Sequence, residues 1–234
     1  MSAADIPGPR QPEEHAISDE SAAKRGRRCL EALTAAVGDN PDAYGLQRAM
    51  ARAGGSLIDA LEGFGGTDGP VNPVPDSGWP GTREEWFLYR FVTVVAGDGT
   101  TIADAVVRRA ATACAERILA SPVAAKVIER EGSGWSFPDD LFCEIYRLFF
   151  ADFVAEFVRA VIAEKVKLTV PALVLVDPSG QIADWVAEQI TAVLPTPCAE
   201  KDRHLDDPRS ISELARDMLP EAVTVALGLP RADA

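Results

Sequence analysis

The sequence predicts an all-α fold: an irregular bundle of about seven to nine helices around a long central helix near residues 139–166. Three observations carry this prediction. Apolar residues recur at helical spacing through most of the chain, and several of these segments open on capping patterns such as Thr82–Glu85 and Ser210–Glu213. Strand-like and helix-like segments do not alternate, as a parallel α/β fold would require. Aromatic residues are concentrated: seven of the twelve Phe and Tyr lie between Phe137 and Val170. Six of them, Phe142, Tyr146, Phe149, Phe150, Phe153 and Phe157, fall within an arc of about 100° on one helix.

Residues 1–17 are rich in Pro, Glu and Ala and have no period, and we read them as a disordered tail. Residues 18–230 are read as one helical domain. Ser18 caps its first helix, with Asp19 and Glu20 at the positive end. Cys29, Leu30, Leu33 and Val37 form one apolar face, and Gly38 ends it. The pair Asn40-Pro41 reads as the start of a second helix that reaches about Phe64. Gly54 and Gly55 are expected to break or bend it, since glycine costs ~1 kcal/mol against alanine in a helix.

Residues 65–81 (GGTDGPVNPVPDSGWPG) form the clearest loop and the one candidate sub-boundary. Trp79, within it, is read as an anchor onto the core. Thr82 to Glu85 is a capping box that opens an apolar helix running to about Ala96. Gly97-Asp98-Gly99 is a turn. Thr101 to Asp104 opens an alanine-rich helix that reaches Ala120. Ser121-Pro122 caps a short helix, and a turn at 132–138 containing Trp135 leads into the central helix.

That helix carries a drifting apolar stripe. Leu141 and Ile145 lie beyond one edge of the aromatic arc; Val154, Val158 and Val161 lie beyond the other. The polar side moves from Glu144 and Arg147 to Asp152, Glu156 and Arg159. Residues 141–150 and 153–162 are therefore expected to pack on different groups of helices and to share the Phe side chains. Leu168–Val176 is read as extended, buried chain. Asp177-Pro178 begins another helix, with Ile182, Trp185, Val186, Ile190 and Val193 on its apolar face; Pro195 and Pro197 end it. Residues 198–209 read as a polar linker. A last helix over about 211–227 starts at Ser210 and carries Pro220.

The net charge is −13. An acidic chain is a poor partner for phosphate backbones, so nucleic acid binding is not expected. Lys24, Arg25, Arg27 and Arg28 are flanked by Asp19, Glu20 and Glu31 and read as a solvated helix face. Uncharged runs fall well short of the ~20 residues that a membrane span needs. The four cysteines show no metal spacing, and we expect reduced thiols and a cytoplasmic location.

The sharpest local string is Val94-Val-Ala-Gly-Asp-Gly-Thr-Thr101. It resembles the GGDGT turn of diacylglycerol-kinase-like and NAD-kinase-like proteins and the GDG turn of haloacid-dehalogenase-type phosphatases. The resemblance implies that Gly97, Asp98, Gly99 and Thr100 would bring backbone N–H groups to a phosphate at a helix N-terminus. Ala96 stands where the kinases have their first glycine, and no Asp-x-Asp occurs in the chain. The residues themselves read as a turn between two helices.

Asp152 and Glu156 sit one helical turn apart, without the Glu-x-x-His partner of helical-bundle metal enzymes. With Arg159 they read as a surface ion pair worth a few tenths of a kcal/mol. Asp202, His204, Asp206 and Asp207 read as solvated linker rather than a cation site. No nucleophile elbow or Walker loop is present. These features favour a non-catalytic helical interaction or regulatory protein, with a protein partner or self-association, or a subunit of a larger bacterial assembly. No catalytic residue, metal ligand or cofactor is assigned. Two alternatives remain: a phosphate- or nucleotide-binding enzyme using the Gly97–Thr101 turn, and a membrane-active effector that releases the aromatic helix.

Overall fold

The computed structural model describes residues 13–40, 43–64, 69–71, 78–129, 137–163 and 180–229. The described residues are all-helical, as expected. They form α1 (Glu13–Asp39), a 3-10 turn (Ala43–Gly45), α2 (Leu46–Glu62), α3 (Arg83–Ala96), α4 (Ile102–Ala120), α5 (Pro122–Glu129), α6 (Asp139–Ala163), α7 (Gln181–Val193), α8 (Pro197–Arg203) and α9 (Ile211–Ala226). The expected extended segment 168–176 and the turn with Trp135 lie outside the described residues.

Helix α6 is the centre of the bundle. Tyr146, Phe149, Phe150 and Phe153 are wholly buried, and Phe142 and Phe157 nearly so. Each such side chain contributes about 1.5–3 kcal/mol relative to exposure. Phe149 meets Phe150 edge to face with ring centres 5.4 Å apart, and Tyr146 meets Phe150 at 5.0 Å. The flanking Ile145, Val154 and Val158 are buried too. Burial therefore extends well past the aromatic arc.

The two halves of α6 do not pack on separate groups of helices. Helix α4 runs antiparallel beside both, linked by Arg117 to Glu144 at one end and by Arg109 to Glu156 at the other. The reason is the polar stripe. It drifts around α6 as the sequence implies, and α4 follows it, supplying arginines on the way. The remaining neighbours do change along the axis. Near the N-terminal half, Tyr146 Oη lies 3.5 Å from the Ala215 carbonyl of α9. Near the C-terminal half, Phe157 meets Tyr44, and Arg159 pairs with Asp184 of α7.

Several boundaries differ from expectation. Helix α1 begins at Glu13, ahead of Ser18, so the end of the expected tail is helical. Helix α2 begins at Leu46 rather than at Asn40-Pro41, because Tyr44 (φ 58°) and Gly45 (φ 67°) adopt left-handed conformations before it. Tyr44 holds this otherwise unfavourable backbone with its ring 5.6 Å from that of Phe157. Helix α2 then runs unbroken through Gly54 and Gly55. Gly54 is there for close approach: a Cβ would lie 2.6 Å from Leu219 of α9 and 3.0 Å from Phe150 of α6. Gly26 plays the same part in α1, where the Trp185 ring of α7 occupies the space of a Cβ. On α7, Ile182, Val186 and Ile190 are buried as expected, whereas Val193 is exposed.

Residues 198–209 are not simply a linker. Thr196 caps the short helix α8 by accepting a bond from the Ala199 N–H (3.3 Å), with Pro197 at its first position. This helix sets Cys198 beside Cys143 of α6. The two are disulfide-bonded, with Cα atoms 6.1 Å apart and a sequence separation of 55. The expectation of four reduced thiols therefore fails for this pair, and so does its part in the argument for a cytoplasmic location. Cys29 and Cys114 lie outside this disulfide, and both are buried. Closing a loop of this length stabilises the fold by about 4 kcal/mol in the chain-entropy picture. No described helix is long and apolar enough to cross a membrane.

The neighbouring glycines of α2 make opposite predictions. Gly54→Ala should destabilise by about 1–3 kcal/mol through overpacking. Gly55→Ala, whose Cβ would meet only Leu219 at 3.9 Å, should stabilise by about 0.5–1 kcal/mol. Urea unfolding of the two variants measures both signs.

Candidate functional site

The Gly97–Thr101 turn joins α3 to α4. Gly97 (φ 66°) ends α3 and donates its N–H to the Thr93 carbonyl (2.9 Å). Thr101 caps α4 and accepts from the Asp104 N–H (3.2 Å). The Asp104 carboxylate folds back over the turn. It accepts from the Thr101 N–H (3.0 Å) and hydroxyl (2.6 Å), and its other oxygen binds Arg52 of α2 (2.6 Å). These donors hold Asp104 below the usual carboxylate range, the Thr101 hydroxyl most of all. Gly99 has no Cβ because the Asp104 carboxyl fills that position. Asp98 and Thr100 are exposed. The α4 N-terminus thus already holds an anion, and that anion is the chain's own carboxylate. A phosphate in this position would have to displace it.

The carboxylates of the central helix form a second cluster. Arg159 binds Glu156 within α6, as the spacing implies, and also Asp184 across on α7. Arg109 approaches Glu156 from α4 at 3.6 Å. Asp152 stands one turn before Glu156, is half-buried, and has no hydrogen-bond or ion-pair partner among the described residues. Burial pushes its pKa up to about 6. Arg159 pulls the other way, but Glu156 and Asp184, which share that arginine, oppose it. Burial, and after it the Asp152 charge, raises the pKa of the Cys114 thiol on α4. The sequence located three of these residues; the reach to Asp184 and the isolation of Asp152 depend on where α7 lies.

The expected cation cluster does not converge. Asp207 holds Arg209 through both carboxylate oxygens, and His204 Nε2 lies 3.3 Å from Glu200. Among the described residues, no group of three or more His, Cys, Asp or Glu is placed to hold a metal ion. Glu200 and Arg203 of α8 face Arg209, Asp217 and Glu221 across an open cleft of about 260 Å³.

A fourth feature lies on the outer face of α3. Trp79 anchors, but on this face rather than in the core. Its indole N–H donates to the Thr82 carbonyl (3.1 Å), and its ring stacks on Tyr89 (5.6 Å) and meets Trp86 edge to face (5.1 Å). The Arg90 guanidinium lies over Trp86 at 5.8 Å. Trp86 is buried beneath, while Tyr89 is 51% exposed. Sequence spacing put Trp86 and Tyr89 on one helix, but only the turn at 78–82, closed by the indole–carbonyl bond, brings Trp79 to them.

Asp152 gives a pH dependence. Its folded pKa lies above the ordinary aspartate value, so its ionisation works against the fold. The stability it contributes is fully present below about pH 4 and is lost as pH rises through about 6. Asp152→Asn should therefore be more stable than the wild type by about 1–3 kcal/mol at pH 7, with the gap closing near pH 4. Denaturant titrations across that range measure it. Compared with models of protein families, with curated proteins and with solved structures, the chain matches none.

Proposed function

We propose that this chain is a non-catalytic helical interaction module that docks a protein partner on the outer face of α3. The observation that carries the reading is the surface cluster of Trp79, Tyr89 and Arg90, packed over the buried Trp86. Trp, Tyr and Arg are the residue types that dominate binding energy at protein interfaces, and they do so where rigid rings stand on a fixed support. Here the support is the capping box of α3 and the indole–carbonyl bond of Trp79. A net charge of −13 disfavours a second copy and favours a neutral or basic partner.

The alternatives have less in their favour. A phosphate at the Gly97–Thr101 turn competes with Asp104, and the aromatic residues of α6 are committed to the core.

Site-specific photocrosslinking in the native host tests the proposal. A photoreactive phenylalanine analogue at position 89 should give one discrete adduct. Trp79→Ala should reduce that adduct at least tenfold, and the analogue at the exposed position 116 of α4 should give none. Equal labelling from positions 89 and 116, or no adduct from 89, would refute the docking face. Light scattering should show a monomer at micromolar concentration; a stable dimer would replace the partner with a second copy.

A further inference from the structure

We propose that Cys143 and Cys198 form a reversible thiol–disulfide modification site. In this site Cys198 exchanges with solvent thiols and Cys143 is the buried resolving sulfur. The inference rests on placement. Cys143 lies on α6 at 7% exposure, while Cys198 is half-buried in the first turn of α8. The backbone N–H of Cys198 donates to Cys143 Sγ at 3.0 Å. Cys198 Sγ lies 3.3 Å from the Asp139 carbonyl, which can accept its S–H when the bond is open. Cys29 and Cys114, both buried, do not compete.

The co-reactant is a small monothiol and its disulfide. In reduction, a thiolate from solvent attacks Cys198 Sγ and the bond to Cys143 breaks. Cys143 leaves as a thiolate, stabilised by the Cys198 N–H, and takes up a proton. A second thiolate attacks the external sulfur of the mixed disulfide and releases Cys198, which is protonated in turn. Two small thiols are oxidised to one disulfide, and two electrons and two protons pass to the protein. Oxidation is the reverse.

The consequence falls on α8. When the bond opens, α8 is held by the burial of Pro197 and by Lys201, which donates to the carbonyls of Asp207 and Arg209. Because Glu200 and Arg203 form one wall of the charged cleft, the oxidation state sets how firmly that wall is held.

Glutathione is the probe. Folded protein is equilibrated in excess reduced or oxidised glutathione, quenched with acid, alkylated and mapped by mass spectrometry. Excess reduced glutathione should convert the 143–198 crosslink to two thiols while circular dichroism stays native, and oxidised glutathione should restore it. Amides of 197–203 should exchange at least tenfold faster in the reduced form. Cys143→Ser should trap glutathione on Cys198 at least tenfold more than Cys198→Ser traps it on Cys143. A crosslink that survives excess thiol until urea unfolds the protein would overturn reversibility and leave a permanent staple. Thiols that stay free in oxidised glutathione, glutathione favouring Cys143, or unchanged exchange in 197–203 would each contradict the proposal; the wild-type measurements do not depend on how the variants fold.

Discussion

Keeping one aromatic helix dry is the constraint on which the rest of this structure depends. Helix α6 has 25 residues and is about 37 Å long at 1.5 Å per residue. No single neighbour can cover six large rings and the aliphatic residues on both sides of them. The chain meets this with several helices at once: α4 and α7 lie alongside, α2 and α9 close over the rings, and α8 covers the N-terminal end. Close approach on this scale needs small residues at the crossings. Gly54 lets Leu219 and Phe150 meet over α2, and Gly26 admits Trp185. Residues that look like helix breakers in isolation are therefore contact residues.

The same envelope decides the electrostatics. Asp139, Asp140 and Arg147 of α6 reach water, and three of its other charged groups are met from neighbouring helices. Glu144 and Glu156 face arginines of α4, and Arg159 reaches Asp184 on α7. Asp152 is left out, which is why burial governs its ionisation. Elsewhere the polar links tie helices at the periphery. Arg216 of α9 holds Asp59 and Glu62 of α2, and Ser212 donates to Glu62. Arg52 joins α2 to the start of α4 through Asp104. These half-exposed pairs add register more than stability.

Much of this was legible in the sequence, because it is local. The three capping boxes, at Thr82, Thr101 and Ser210, form as their spacing implies. The aromatic arc lies in the core because hydrophobic spacing reports a face directly. What was not legible depends on tertiary placement. Polar composition concealed α8, although Thr196-Pro197 is an N-cap followed by a first-turn proline. Without α8, nothing in the chain could put Cys198 beside Cys143. The drift of the polar stripe was readable, but a drift does not reveal that one neighbour tracks it. Trp79 likewise joins Trp86 and Tyr89 only through the turn at 78–82. The candidate surfaces are less legible than the core for this reason: each is assembled from segments distant in sequence.

The central claim is that α6 is the last element to open. Native-state hydrogen exchange along the chain tests it most directly, read against the free energy of global unfolding from urea titration. Amides of residues 145–157 should exchange only through global unfolding, at the full free energy, while those of α1, which docks mainly through α7, should exchange through a smaller opening. Exchange of 145–157 at a free energy several kcal/mol below the global value, or ahead of α1, would contradict the claim that the bundle is built around this helix.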